Sequence, residues 1–344
     1  MKKGSCLLLV LVFVFLALLQ APQVSYGQEV VKLKMADSLP IGHVSNIAAL
    51  YFIKRVGELS DNKVKIEFYP AEQMGKQKDY LALCGEGILD IAYVPPSFYA
   101  GQVPLNTISI LPYWTTAVEG ATIYKRLVET CPEITQEFLK YRVRPLLIAS
   151  CSQYDVGTVK KTVRSAEDLK NLKLKTSGGL FDRIAKQYGI ITVSLPAPEV
   201  YEATQRGIVD GNIFSYPSVK GYRLNELQKY HTYGLRMGGY PWTYVINEKK
   251  WQKLPKGVQT VLQDAARDYT RYSSENWDEE TIRLLEEFKK GGMVIHRVQA
   301  QDRPKWEAPL KGIEEIWIQE MEKKNLPGRK VFEIFKNICQ EVVK

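Results

Sequence analysis

The sequence predicts an α/β protein of two lobes, in which each lobe is a mostly parallel sheet flanked by helices. Strand-like and helix-like segments alternate through the first half of the chain, and the same rhythm resumes after Tyr141. A third observation is a helical pattern from Lys256 to Lys290. At 1.5 Å per residue, such a helix is roughly 50 Å long, which exceeds one small lobe. The helix is therefore predicted to span both lobes.

The first 27 residues have the pattern of a secretory signal peptide. Met1–Lys3 gives a positive start, Leu7–Leu19 is apolar and uncharged, and Ser25–Gly27 places small residues at a cleavage site. An uncleaved membrane anchor is the alternative, but the apolar stretch is shorter than the about 20 residues that a spanning helix needs. We expect cleavage after Gly27 and a mature protein outside the inner membrane.

The first lobe is predicted to occupy mainly residues 28–150, with the chain returning to it at about 240–270. Polar and apolar residues alternate in its strands, and apolar residues recur at helical spacing between them. The predicted order is strand Val31–Ala36, helix Ser45–Leu59, strand Val64–Pro70, helix Asp79–Glu86, strand Ile88–Val94 and, after Tyr141, strand Arg144–Ser150.

The second lobe is predicted to occupy mainly residues 151–240. Ser165 and Asp168 have the spacing of a capping box at the start of a short helix. A strand at Leu172–Thr176 and helices at 178–187 and 198–206 follow. The long helix is assigned to 256–290, with a break near Ser273-Ser274 as the alternative. Residues 291–344 are predicted to supply a strand at Met293–Val298 and helices that pack on the lobes.

Composition and motifs exclude several classes of function. The net charge of +9 is spread along the chain without a cluster of Lys and Arg among aromatics, so no nucleic-acid partner is predicted. His43, His231 and His296 lie far apart, and the phosphate-binding, nucleophile-elbow and paired-cysteine motifs are absent from the sequence. We therefore expect no cofactor, no metal and no catalytic activity. The mature cysteines could pair as disulfides, but their sequence leaves the pairing open: Cys84, Cys131, Cys151, Cys339.

Aromatic residues are concentrated near predicted strand ends and loops. In open α/β sheets ligands bind at the carboxyl ends of the strands, where aromatic side chains can line a pocket. Packing in the core or at the lobe junction is the alternative for each of them. The residues are Tyr93, Phe98, Tyr99, Tyr113, Trp114, Tyr154, Phe214, Tyr216, Tyr240 and Trp242.

Six segments resemble, in order and spacing, the periplasmic solute-binding receptors of tripartite ATP-independent (TRAP) transporters, of the C4-dicarboxylate-receptor type. The resemblance extends from about Val31 to Val298. The segments are Tyr69–Gly75 (YPAEQMG), Gly87–Ala92 (GILDIA), Leu111–Trp114 (LPYW), Ser165–Leu174 (SAEDLKNLKL), Glu199–Gly211 (EVYEATQRGIVDG) and Ile246–Pro255 (INEKKWQKLP).

The resemblance implies a two-lobed periplasmic-binding-protein-like fold and a function without chemistry. Such a receptor binds a small organic acid between its lobes, closes over it and delivers it to a membrane permease. The implied partners are thus a small-molecule ligand and permease subunits, with the receptor itself a periplasmic monomer. A secreted enzyme on the same architecture and a ligand-sensing subunit of a signalling system are the alternatives.

The sequence departs from the family at the positions that usually bind a carboxylate. Lys175 stands where the family usually has an Arg. Lysine keeps the positive charge but cannot bind a carboxylate in the bidentate geometry of a guanidinium. Other polar positions align with apolar or aromatic residues, so we expect a ligand that is larger and less polar than a C4-dicarboxylate, such as an aromatic or aliphatic monocarboxylate, with a neutral compound as the alternative. In the alternative alignment, Arg144 or Arg183 binds the anion. The predicted ligand-binding residues are Lys175, Tyr154, Phe214, Pro95, Ala197, Trp242, Tyr216, His43 and Asp37.

Overall fold

The structure is a computed structural model that describes residues 30–195 and 199–343, so the predicted signal peptide lies outside the described residues. The strands are β1 (Val31–Ala36), β2 (Val64–Tyr69), β3 (Ile91–Val94), β4 (Val143–Ser150), β5 (Asp155–Thr158), β6 (Lys173–Thr176), β7 (Ile191–Ser194), β8 (Gly211–Phe214), β9 (Tyr230–Tyr233), β10 (Pro241–Asn247) and β11 (Val294–Arg297). The α-helices are α1 (Val44–Leu59), α2 (Tyr80–Gly85), α3 (Ala117–Thr130), α4 (Pro132–Leu139), α5 (Leu180–Gln187), α6 (Val200–Gln205), α7 (Tyr216–Gly221), α8 (Glu248–Lys253), α9 (Lys256–Lys290), α10 (Arg303–Glu307), α11 (Ile313–Glu322) and α12 (Gly328–Val342).

The strands form two sheets, as the α/β prediction requires. The first sheet has the order β2-β1-β3-β10-β4, and the second has the order β11-β9-β5-β8-β6-β7. Parallel pairs make up part of each sheet, such as β1 with β2 and with β3, and β6 with β7 and with β8. Both sheets are nevertheless mixed, because β10 runs antiparallel to β3 and β4, and β5 runs antiparallel to β8 and β9.

The mixed order follows from the path of the chain between the sheets. After β9 of the second sheet, the chain returns to the first sheet, where β10 is inserted between β3 and β4. Residues 241–247 are all buried there, as expected of a central strand with helices on both sides. Near the other end of the chain, β11 extends the second sheet by pairing with β9. Each sheet is thus built from non-contiguous parts of the sequence.

Helix α9 is continuous over 35 residues, so the predicted long helix is confirmed and the alternative break near Ser273-Ser274 does not occur. It packs against α1 and β4 of the first sheet and against α7, which follows β8 of the second sheet. Thr270 Oγ1 donates to the Ile148 carbonyl of β4 at 2.8 Å, and Lys220 Nζ of α7 lies 2.6 Å from Glu287 Oε1. Contacts with both sheets explain how a helix of this length is stabilised in water.

Local signals in the sequence account for several helix starts. The predicted capping box of Ser165 and Asp168 is present and begins a short 3₁₀ helix at Ala166–Leu169. Thr116 and Glu119 form a second capping box at the start of α3. The Asp278 carboxylate, from α9, also accepts hydrogen bonds from the first backbone amides of α3, at 2.7 and 3.2 Å. These oxygens satisfy amide groups that a helix leaves unpaired.

The four cysteines of the described residues are unpaired thiols. Cys84, Cys131, Cys151 and Cys339 are buried and free in the described structure. Burial raises the pKa of the Cys131 thiol to about 11 and that of the Cys339 thiol to about 12, which keeps both neutral. Within residues 30–195 and 199–343, no helix combines the length and the apolar character that crossing a bilayer requires.

Gly211 permits a close approach of strands in the second sheet, and this gives a test of the fold. A Cβ atom at this position would lie 1.9 Å from the Gly157 carbonyl oxygen of the neighbouring strand. We expect Gly211→Ala to lower the free energy of unfolding by about 1–3 kcal/mol, because backbone atoms must move apart. Urea denaturation monitored by circular dichroism measures this change.

Gly101→Ala is the matched control for this substitution. A Cβ atom at Gly101 meets no other atom within 4 Å, so its free energy of unfolding should change by less than about 0.5 kcal/mol. Equal unfolding midpoints for Gly211→Ala and the wild type would contradict the strand packing described above.

Candidate ligand-binding site

A cavity of about 740 Å³ is lined by residues from both sheets and from α9. This volume is in the range of pockets that enclose small organic ligands. The loops after β1 and β3 contribute from the first sheet, β6 and β8 contribute from the second, and Trp277 contributes from α9. The lining residues are Ser38, Leu39, His43, Ser45, Glu72, Lys76, Gln77, Lys78, Tyr93, Ser97, Phe98, Cys151, Tyr154, Lys175, Ser177, Ser194, Leu195, Glu199, Phe214, Ser218, Tyr222, Tyr240, Trp242 and Trp277.

Much of the cavity wall consists of aromatic rings that hold one another in place. The Tyr154 ring stacks on Tyr240 with 5.7 Å between centroids and 10° between planes, and it also stacks on Phe181 at 5.2 Å. Phe214 meets the edge of Tyr154 at 5.8 Å. Such ring pairs contribute about 0.5–1.5 kcal/mol beyond their buried area. The wall is therefore a rigid surface suited to a flat, apolar ligand.

Lys175 places a positive charge in this aromatic environment. It lies on β6, its side chain is 2% exposed, and its Nζ lies 4.0 Å from the centroid of the Phe214 ring. No salt bridge to Lys175 occurs within the described structure. Burial lowers the pKa of Lys175 to about 7, and the charge of Asp182 opposes this shift only in part. A buried ammonium in this setting gains free energy when an anion binds to it.

Asp182 is held by other groups and does not neutralise Lys175. Its Oδ1 accepts a hydrogen bond from the Thr176 hydroxyl, and its Oδ2 accepts one from the Ser194 hydroxyl at 3.1 Å. These bonds fix the carboxylate at the start of α5. The Lys175 ammonium therefore remains available to a ligand that enters the cavity.

His43 contributes a neutral ring to the cavity wall. Its Nδ1 accepts a hydrogen bond from the Ser45 backbone N–H at 3.2 Å, as the N-cap of α1. Burial lowers the pKa of His43 to about 4, so the ring is uncharged at neutral pH. With Nδ1 acting as the acceptor, the ring hydrogen is on Nε2.

The structure brings five of the predicted ligand-binding residues together on the cavity wall: His43, Tyr154, Lys175, Phe214 and Trp242. They come from separate segments of the chain and both sheets. Trp242 is also fixed from behind, because its Nε1 donates to the Tyr269 hydroxyl of α9 at 2.9 Å.

Asp37 lies behind the cavity wall instead of on it. Its side chain is fully buried, and its carboxylate accepts hydrogen bonds from the Leu39 backbone N–H, at 2.8 Å, and from the Tyr244 hydroxyl. Burial raises the pKa of Asp37 to about 6, although the bond from Tyr244 opposes that shift. The residues next to it, Ser38 and Leu39, form the wall. Asp37 thus positions the loop after β1.

The remaining predicted residues lie elsewhere. Pro95 is buried directly after β3, where its carbonyl accepts bonds from the turn that carries Ser97 and Phe98 to the cavity. Tyr216, the first residue of α7, does not line the cavity, and its ring packs on His231 at 4.2 Å between centroids. Ala197 lies outside the described residues.

Two aromatic residues of the cavity wall, Tyr222 and Trp277, are not among the aromatic residues that the sequence predicts for a pocket. Trp277 lies four and eight residues after Ser273 and Tyr269 on α9, and all three are buried. This spacing places them on one face of the helix, so it was the signal that could have identified Trp277. Tyr222 follows α7 without any periodic signal, and it reaches the cavity because its ring packs on His43 and Phe214.

The two arginines considered as alternative anion ligands are paired elsewhere. Arg144 binds Glu248 through two nitrogens, at 2.5 and 2.7 Å, and Arg183 Nε lies 2.6 Å from Glu320 Oε1. Neither residue lines the cavity. Lys175 is therefore the buried cation that the described cavity wall presents.

Comparison with known proteins gives the family. Residues 35–323 match the DctP family, bacterial extracellular solute-binding protein, family 7. The chain belongs to this family. The match confirms the resemblance described above, and with it an extracytoplasmic receptor that captures a small organic ligand and works with the membrane components of a TRAP-type transporter.

Individual members of the family are distant from this receptor in sequence but close in structure. A solute-binding protein of Albidiferax ferrireducens is 27% identical over 263 residues, which are 74% of this chain and 76% of that protein. A TRAP solute-binding protein of Rhodoferax ferrireducens, in complex with benzoate, superposes with a TM-score of 0.83 at 19% identity, covering 91% of this chain and 98% of that one. A marine metagenome TRAP protein specific for aromatic acids, in complex with 3-hydroxybenzoate, has a TM-score of 0.82 at 22% identity, with 91% and 99% covered.

Proposed function

We propose that this receptor binds an aromatic monocarboxylate between its lobes and delivers it, as a periplasmic monomer, to a TRAP-type permease. The observation that carries the proposal is Lys175, a buried ammonium without a carboxylate partner in the described structure, placed against aromatic cavity walls. A ligand carboxylate would supply the missing charge, and a ligand ring would fill the space between the walls.

The aromatic character of the ligand is supported by the cavity walls. Tyr154 and Tyr240 present nearly parallel, mutually stacked rings, and Trp242 and Trp277 lie 5.4 Å apart at another part of the wall. Rings of this kind bind other rings by stacking and edge contacts. A small dicarboxylate would leave much of this apolar surface without a partner.

A single carboxylate is supported by the distribution of charge. Lys175 is buried, whereas Lys76 and Lys78 are exposed residues of the rim, and Lys76 is already paired with Glu72 at 2.8 Å. A second buried carboxylate would lack a cation, and the penalty for burying an unpaired charge is large. Asp37, behind the wall, adds further negative charge to the first-sheet side.

Similar proteins support the same ligand class without establishing it. The relatives in complex with benzoate and 3-hydroxybenzoate share the fold, as does a Bordetella bronchiseptica protein with bound mandelate. Other proteins of this fold hold glucuronate, which is a sugar acid. The choice between these classes for this chain depends on its own cavity, whose walls are aromatic.

Isothermal titration calorimetry of the purified protein tests the proposal. Benzoate, phenylacetate and 3-phenylpropanoate would be compared with succinate and glucuronate. We expect at least one aromatic acid to bind at least about a hundredfold more tightly than succinate, a difference of about 2.7 kcal/mol. Chromatography after the titration should recover the ligand unchanged, as expected of a receptor. Preference for succinate or glucuronate would contradict the ligand class, and consumption of the ligand would indicate an enzyme.

A further inference from the structure

The indole N–H of Trp277 is a buried donor that lacks an acceptor. Trp277 is 3% exposed and lines the cavity, and its Nε1 has no hydrogen-bond partner within residues 30–195 and 199–343. An indole nitrogen donates and cannot accept, so only an acceptor atom can satisfy it. Leaving such a group unpaired in a protein interior costs free energy. A ligand acceptor in the cavity would recover that cost.

His43 offers a second donor beside Trp277. The two rings lie 6.1 Å apart between centroids, and both line the cavity. Because His43 Nδ1 is occupied as the acceptor for the Ser45 N–H, the ring hydrogen is on Nε2. The ring is neutral at pH 7, since burial lowers the pKa of His43 to about 4. The pair therefore presents N–H groups without a formal charge.

These donors are separated from the Lys175 ammonium by two aromatic rings. Lys175 Nζ lies 4.0 Å from the Phe214 centroid, the Phe214 ring lies 5.8 Å from that of Tyr222, and the Tyr222 ring lies 5.9 Å from that of His43. The cavity thus has a cation on the side of the second sheet and neutral donors on the side of α1 and α9. A ligand that satisfies both needs polar groups at its two ends and an apolar middle.

The lack of charge on the two donors favours a neutral acceptor over a second carboxylate. Asp37 is fully buried in the loop that leads from β1 to His43, and its carboxylate accepts hydrogen bonds from the Leu39 N–H and the Tyr244 hydroxyl. Within the described structure, Asp37 forms no salt bridge with a cation. A ligand carboxylate at the donor pair would lack a counter-ion, whereas an uncharged oxygen would need none.

We propose that His43 and Trp277 form a second binding subsite, which accepts an uncharged oxygen at the end of the ligand remote from its carboxylate. The inference rests on the proposed function and narrows it. The ligand class becomes an aromatic monocarboxylate that carries a carbonyl, ether or phenol oxygen across the ring from the acid group. Ser38 also lines the cavity, and its buried hydroxyl has no partner in the described structure.

A matched pair of ligands tests the subsite. The 4-acetyl and 4-isopropyl forms of benzoate, phenylacetate and 3-phenylpropanoate have similar shapes, but only the acetyl group accepts a hydrogen bond. The quantity to measure is the ratio of the two dissociation constants, for wild type and for Trp277→Phe, which keeps a ring and removes the donor. We expect the preference for the acetyl ligand to fall by about tenfold in the variant at the best spacer length.

The controls separate this inference from the proposed function. Lys175→Met should weaken both ligands of a pair and leave their ratio unchanged, because the ammonium meets the carboxylate that both share. His43→Phe is the second donor variant, and it gives the same test if Trp277→Phe fails to fold. An acetyl-to-isopropyl ratio that is equal in the wild type and the donor variants would overturn the subsite while the proposed function stands. Failure of every one of these acids to bind the wild type would overturn both.

Discussion

Lys175→Met is expected to weaken the binding of aromatic monocarboxylates by about a hundredfold or more. Methionine keeps the length and the apolar stem of the side chain but removes the ammonium. A ligand carboxylate would then be buried without a counter-charge, and removing one partner of such a pair costs about 2–5 kcal/mol. Calorimetric titration with the best aromatic acid measures the change.

The same substitution should stabilise the protein when no ligand is bound. The pKa of Lys175 in the folded state is about 7, below its usual value of 10.5, so the unfolded chain binds more protons than the native protein between these pH values. Wild-type stability therefore rises with pH across this window, and the full cost of the buried charge is present below about pH 7. Lys175→Met removes that cost, which at 1.36 kcal/mol per pKa unit is on the order of 2–5 kcal/mol.

Opposite changes in affinity and stability are what distinguish a binding residue from a structural one. Urea denaturation of the ligand-free proteins at about pH 6 supplies the second measurement. A variant that loses both affinity and stability would indicate that Lys175 supports the fold, and the role assigned to its ammonium would be wrong. A variant that keeps full affinity would show that the carboxylate binds elsewhere.

The parts of the fold that follow from local sequence patterns were predictable. Alternation over Val31–Ala36 and helical spacing over Lys256–Lys290 identify β1 and α9 with the bounds that the structure has. Both patterns arise because one face of the segment is buried, so apolar residues recur with the period of a strand or of a helix. The mixed order of the strands could not be predicted in this way, because it depends on the chain returning from the second sheet so that β10 lies between β3 and β4. No local pattern encodes where a strand is inserted.

In the candidate site, too, some residues follow from local sequence and others depend on tertiary packing. Motif alignment identifies Lys175, Tyr154 and Phe214, because each lies in or next to a strand, and the position of a residue in a strand fixes its place in the sheet. Trp277 is not identified in this way, because it lies in the middle of a helix far along the chain and reaches the cavity only through the packing of α9. Tyr216 and Tyr222 lie close together in the sequence, yet Tyr216 packs on His231, whereas Tyr222 packs on His43 and Phe214 of the cavity wall. Which of several nearby aromatics meets the ligand is decided by tertiary packing.

Ligand affinity should fall as the pH rises above about 7, with uptake of a proton on binding. Because the pKa of Lys175 is about 7, roughly half of the ligand-free protein carries the ammonium at that pH. The carboxylate ligand is ionised throughout and binds the charged form, so binding raises the lysine pKa and draws in the missing proton. Above pH 7 the dissociation constant should rise by up to about tenfold per pH unit, until the pKa of the complex is reached.

Calorimetry in buffers of different ionisation enthalpy measures the proton directly. We expect uptake of about half a proton at pH 7 and close to one proton at about pH 8.5. Burial raises the pKa of Asp155 to about 7 as well, but Asp155 does not line the cavity, and its carboxylate accepts hydrogen bonds from the backbone N–H groups of Gly234 and Leu235. The pKa of His43 is about 4 and that of Asp37 about 6, and burial raises the pKa values of Tyr93 and Tyr154. Of the two groups with a pKa of about 7, Lys175 is the one that lines the cavity, so we expect it to take up the proton.

Lys175→Arg is the control that isolates the titrating group. A guanidinium stays charged at every accessible pH, so this variant should bind without proton uptake and with a flat affinity profile between about pH 7 and 9. Proton uptake that persists in Lys175→Arg would place the titration on another residue. Affinity that is independent of pH in the wild type would mean that Lys175 is already fully charged in the ligand-free cavity, which would contradict the burial that makes it the anion-binding residue.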